Sequence, residues 1–182
     1  MENFSQVTEK ENMKDGLVET FHKNGQLNSR ENYKNGKLHG LQEYYDKNGL
    51  LEQKGNYKDG KPHGLYEWFQ NGKLSTKESN KSGKREGLSE TFDENGQLRT
   101  RGNYKNGMEH GSFEEYLENG QLRSMENYKN GEEDGLWETF YENGQLWITS
   151  NYKDGELVFR KFFDEEGNLT TTEVYKDGEL VE

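Results

Sequence analysis

The chain has 182 residues, of which 27 % are hydrophobic and 32 % charged, and it carries a formal net charge of −11. That is too little apolar material for a compact two-layer domain, yet 13 % aromatic residues, a single proline and regularly spaced glycines exclude a disordered chain. Cysteine is absent, which removes disulfide and thiolate chemistry, and no apolar run reaches the length of a membrane span.

In chain order, the first segment reads MENFSQVTEKEN. It lacks the basic and apolar regions of a secretion signal, so a cytoplasmic protein is expected. The absence of alanine and the wealth of Lys, Asn, Glu and Tyr point to an A/T-rich coding sequence of bacterial or phage origin. Residues 4–15 read as half a repeat, with Val7 and Met13 in the places that leucine and tyrosine hold later. Full units then begin near Gly16, Gly40, Gly64, Gly87, Gly111 and Gly135, with Val158 in the glycine place of the seventh. A C-terminal half unit starts at 178, so residues 1–182 are read as a single array.

Each unit is predicted to be a β-hairpin. A second glycine row (Gly25, Gly49, Gly72, Gly96, Gly120, Gly144, Gly167) mostly follows asparagine, and a third (Gly36 to Gly178) mostly closes Lys-Asn-Gly or Lys-Asp-Gly. Asn-Gly and Asp-Gly between strand-like runs favour tight hairpin turns, because glycine accepts positive φ. Twenty of the 22 glycines fall on the three rows. Unit three is one residue shorter, which suits a two-residue turn at Asn71-Gly72, whereas Glu94-Asn95-Gly96 suits a three-residue loop. Both loops set an aromatic opposite a leucine, Phe69 with Leu74 and Phe92 with Leu98. The expected fold is all-β: an elongated single antiparallel sheet of about fourteen short strands, on the order of 70 Å long.

Strict alternation places one set on one face, such as Leu17, Phe21, Leu27 and Tyr33, and this lattice is read as the structural face. The glutamates Glu19, Glu43, Glu67, Glu90, Glu114 and Glu138 share it. They are expected opposite Ser29, Gln53, Thr76, Thr100, Ser124 and Ile148, as shielded carboxylates too far apart for a metal pair. His39, His63 and His110 precede unit glycines and are read as turn-packing residues. No ligand cluster implies a metal or cofactor, and no nucleophile–base pair implies catalysis.

The consensus G-L-x-E-x-F/Y-x-x-N-G-Q-L-x-x-x-x-N-Y-K-N/D-G resembles the MORN-repeat variant of bacterial YwqK-type proteins, commonly labelled antitoxin components of toxin–antitoxin systems. The resemblance covers residues 7 to 182 and implies a non-enzymatic array that binds another macromolecule. The acidic charge disfavours an anionic membrane. The face opposite the lattice varies, and its Tyr66, Trp68, Trp137 and Trp147, with Arg99 and Arg123, have the composition of interface anchors. Trp137 is expected opposite Thr149 and Trp147 opposite Thr139, as diagonal neighbours. The expected function is therefore a protein-binding module, an antitoxin-like inhibitor or scaffold for a toxin or effector enzyme, without direct nucleic-acid or membrane binding. An acidic nucleic-acid mimic and a cell-wall carbohydrate-binding repeat are the alternatives, and oligomeric state is left open.

Overall fold

The computed structural model describes residues 15–181, and all regular secondary structure in them is strand. The half unit expected over 4–15 therefore lies almost wholly outside the described residues. The first eight strands are β1 (Gly16–Phe21), β2 (Leu27–Lys34), β3 (Lys37–Tyr45), β4 (Leu51–Lys58), β5 (Lys61–Gln70), β6 (Lys73–Lys81), β7 (Lys84–Phe92) and β8 (Leu98–Lys105). They continue with β9 (Met108–Tyr116), β10 (Leu122–Lys129), β11 (Glu132–Glu133), β12 (Gly135–Phe140), β13 (Leu146–Lys153), β14 (Glu156–Phe163), β15 (Leu169–Lys176) and β16 (Glu179–Leu180). All sixteen form one antiparallel sheet in sequence order, β11 and β12 both pairing with β10 across an interruption at Asp134. The sheet thus exceeds the expected fourteen strands by short pieces.

Two turn types line the two long rims. At one rim Asn35-Gly36, Asp59-Gly60, Ser82-Gly83 and their equivalents both take positive φ, the signature of the two-residue type I′ turn. At the other rim most loops hold three residues: in Asp93–Gln97 the Gly96 amide donates to Asp93 O (2.9 Å) and the Asp93 amide to Gln97 O (2.9 Å). Unit three instead uses the two-residue Asn71-Gly72 turn, both members at positive φ. The aromatic opposes the leucine in both, as Phe69 with Leu74 and Phe92 with Leu98.

Beyond that pair the register departs from strict alternation. Phe21 faces Leu27, but Thr20 faces Ser29, so Asn28 is an extra residue on β2. The same bulge recurs at Ser75, Arg99 and Trp147. One inserted residue inverts the facing of everything after it. Glu19 therefore pairs with Arg30 rather than Ser29, Glu138 with Thr149 rather than Ile148, and Trp137 with Ser150 rather than Thr149. Tyr33 and its equivalents leave the leucine face for the other one.

A second irregularity explains the first glycine row. Between Glu31–Gln42 and Tyr33–Leu38 three residues of β3, His39-Gly40-Leu41, stand against Asn32 alone, and Gly40 has φ 92°. The buried Gln42 amide repairs the opened ladder, donating to Asn32 O and Gly40 O (3.1 Å each) and accepting from the Asn32 amide (3.0 Å). At the equivalent place Trp137 Nε1 donates to Asn127 O (3.1 Å).

Candidate functional site

The two faces of the sheet have different chemistry. One carries the glutamate row, which is joined to a basic row by ion pairs: Arg30 with Glu19 (2.9 Å) and Glu43 (3.8 Å), Lys54 with Glu67 (2.8 Å), and Glu90 with Lys77 (3.8 Å) and Arg101 (3.1 Å). Each pair has its basic member open to solvent and contributes little alone, and the alternation of acid and base runs strand by strand from β1 to β9. It stops at β10, where Met125 and then Thr149 stand in the basic places. On this same face Leu17, Leu41, Leu65, Leu88 and Leu136 are among the exposed large apolar residues, as is Phe21 at 61 %. The lattice read from the sequence as structural is thus the more open apolar surface.

The other face holds the buried aromatics. Tyr66 packs on Tyr57 (ring centroids 6.0 Å) and Trp68 (4.5 Å), and is 7 % exposed. A longer ladder runs Tyr104–Phe113–Tyr128–Trp137–Tyr152 at successive separations of 5.3, 5.3, 5.3 and 4.9 Å. The two glycines outside the repeat rows explain two of these rings. A Cβ on Gly55 would fall 2.0 Å from the Tyr66 ring, and one on Gly102 2.2 Å from Phe113. Rings laid over bare backbone in this way are the aromatic rescue of strand glycine.

The positions between rings follow a two-unit period. Glu31, Glu78, Glu126 and Glu173 alternate with Gly55, Gly102 and Ser150. Each glutamate accepts a bond from two residues on: Tyr33 (2.7 Å), Asn80 (2.8 Å), Tyr128 (2.9 Å) and Tyr175 (2.8 Å). Arg85 adds an ion pair to Glu78 (2.9 Å) and lies 4.9 Å over Tyr104.

Burial, and then the Glu31 carboxylate, lift the Tyr33 phenol from 10.0 to about 12; burial foremost also raises Tyr44, Tyr66 and Tyr128. Folding favours the neutral phenols, so their contribution is complete below pH 10 and is lost as pH rises through 12. A spectrophotometric titration should therefore resolve late-ionising tyrosines whose transition coincides with loss of the strand signal in circular dichroism. Ionisation of all tyrosines together near pH ~10 with the sheet intact would contradict this packing.

Of the residues expected at an interface, Tyr66, Trp68 and Trp137 are thus brought into the aromatic packing. Trp147 is 42 % exposed and stacks on Tyr141 (5.6 Å), and no ring contact joins it to Trp137. Arg123 pairs with Glu115 (2.8 Å) and Arg99 with Glu118 (3.7 Å). His39 and His110 sit beside the following turn, where His110 Nδ1 accepts from the Asn130 amide (3.4 Å) and His39 Nδ1 lies 3.6 Å from Asp59 Oδ1. Among the described residues no three His, Asp or Glu side chains are grouped as metal ligands would be.

The signature of the MORN repeat variant matches residues 14–35, 38–59, 85–106, 109–130 and 133–154, more than half of the chain. The chain belongs to the MORN repeat variant family. Hairpins three and seven fall outside the matched stretches, yet the MORN geometry persists through both. No match was found among curated proteins. Among solved structures the chain is similar to TarM (14 % identity, TM-score 0.35, 64 % of this chain and 21 % of that one). A mutant of S. aureus TarM in complex with fondaparinux, alpha-GlcNAc-glycerol and UDP is similar at 12 % identity and TM-score 0.30, over 79 % of this chain and 21 % of that one. The GtfA/B complex bound to UDP and GlcNAc follows at 17 % and 0.24, over 59 % and 22 %. The MORN array thus spans about a fifth of the length of those chains.

Sequence reasoning missed the exposed leucine row and a charge polarity along the array. Residues 15–107 hold 16 Lys and Arg against 13 Asp and Glu, whereas residues 108–181 hold 6 against 18. Counting charge by halves would have found the second feature.

Proposed function

We propose that this chain is a non-catalytic protein-binding repeat that holds its partner on the leucine face, as an antitoxin-like inhibitor or a scaffold. MORN repeats are generally protein- or membrane-binding modules without catalytic residues. The observation that carries the reading is the exposed row Leu17, Leu41, Leu65, Leu88 and Leu136, flanked by paired charges. Repeated apolar side chains rimmed by polar groups have the anatomy of an interface. The partner that fits is a protein with apolar side chains ringed by Lys or Arg, because Met125 and Thr149 take the basic places beside Glu114 and Glu138. Trp147, Arg99 and Arg123 extend the contact around the loop rim.

A second reading follows from the 18 acids against 6 bases in residues 108–181: an acidic mimic that occludes the basic groove of a nuclease or defence enzyme. One capture experiment from source-cell extract separates the two, using wild type, Leu65→Gln/Leu88→Gln and Trp147→Ser as baits. The leucine reading expects one protein retained by wild type at ~0.5 M salt and lost from the double leucine variant, which keeps its strand signal. Loss of that protein from wild type at high salt favours the mimic. Equal capture by all three baits overturns the leucine face.

A further inference from the structure

The type I′ rim carries an ordered charge series. The residue after the turn glycine is Lys37, Lys61, Lys84, Met108, Glu132, Glu156 and Glu179 in the seven turns. Each pairs across its turn with a lysine, Lys34 with Lys37 at the first and Lys176 with Glu179 at the last. In the three N-terminal turns lysine therefore opposes lysine, a destabilising cross-strand pair. None of these six charged residues takes part in an ion pair among the described residues. Folding of one copy does not explain the arrangement.

Read backwards with charges exchanged, Lys-Lys-Lys-Met-Glu-Glu-Glu is itself. A two-fold interface has this property, since residue i meets j and j meets i. We propose that two copies of the chain pair rim to rim about a two-fold axis at Met108. Lys37 then meets Glu179 of the second copy, Lys61 meets Glu156, Lys84 meets Glu132, and Met108 meets its own equivalent. Successive members are two strands apart, about 10 Å, on both rims, so all seven positions come into register together. Met108 is 44 % exposed at the centre of the series. The rim is continuous, because Lys37, Lys61, Lys84 and Met108 each lie against the glycine of the following turn. The opposing lysines, Lys34 and its six equivalents, are the same in every turn and set no register.

Sedimentation velocity tests this on the whole chain. Wild type should be a dimer at ~20 mM salt, with a dissociation constant at least about tenfold weaker at ~0.5 M, because exposed ion pairs are screened. Lys37→Glu/Lys61→Glu/Lys84→Glu should be monomeric, and so should Glu132→Lys/Glu156→Lys/Glu179→Lys. Mixing the two variants should restore a dimer containing one of each. The first variant replaces three Lys–Lys pairs by Lys–Glu pairs, so loss of its dimer is not a folding defect, and circular dichroism checks both. A wild type that stays monomeric at low salt, or a mixture that stays monomeric, overturns the proposal. So does growth beyond a dimer, which would mean head-to-tail stacking of the basic end on the acidic end.

Discussion

Gly102→Val should lower the stability of the middle of the array by about 3 kcal/mol or more, at the upper end of overpacking effects. Gly102 is not at positive φ, unlike the twenty row glycines, so the substitution meets no backbone strain of its own. What it meets is the Phe113 ring, with three ring atoms 2.2, 2.3 and 2.7 Å from the new Cβ. The ring cannot withdraw without leaving Tyr104 and Tyr128, which hold it edge-on at 82° and 75°. Because a hairpin array need not unfold in one step, hydrogen exchange is the better measurement, and protection should fall first in β8 and β9. Phe113→Ala in the same chain should restore part of the loss, since the clash then disappears and the two substitutions couple. Wild-type protection in Gly102→Val would show that the ring does not lie over this glycine in solution.

The second large effect separates two tryptophans that share a hairpin. Trp137→Ala should cost about 3 kcal/mol, as large aromatic truncations in packed positions do. It removes contacts at 5.3 and 4.9 Å to Tyr128 and Tyr152, together with one of the two bonds that Asn127 O accepts, the other coming from the Asp134 amide (2.9 Å). Trp147→Ala should change stability by about 0.5 kcal/mol or less, because Trp147 is a half-exposed bulge residue stacked only on Tyr141. Urea denaturation followed by circular dichroism measures both. Equal losses would mean that the two residues play one role, as strict alternation along the strand implies.

That contrast shows where the sequence was legible. Turn chemistry is local: Asn-Gly and Asp-Gly select their φ values without help from the rest of the fold, so the hairpins, the short turn of unit three and the aromatic–leucine pairs follow from the spacing alone. The bulge at Asn28 and its equivalents is different. Its positions are held by Asn, Ser, Arg and Trp among others, so no residue type announces it, and it is a property of the pairing between two strands. Missing it moved Tyr33 to the wrong face, gave Glu19 and Glu43 the partners Ser29 and Gln53 in place of Arg30 and Lys54, and made the tryptophans look like a matched pair. The two off-row glycines were visible, but their meaning lay in the rings of Tyr66 and Phe113 on the neighbouring strands.

The alternation of glutamate with glycine or serine beneath the rings has a consequence for how such a chain can change length. Tyr66 lies between Gly55 and Glu78, and Phe113 between Gly102 and Glu126. Excising a single hairpin would bring two glutamates to flank one ring and take away the bare backbone on which that ring lies. Excising two consecutive hairpins would join like to like. The smallest interchangeable module is therefore a pair of hairpins of opposite kind, so that lengthening or shortening by one module preserves parity and by half a module breaks it.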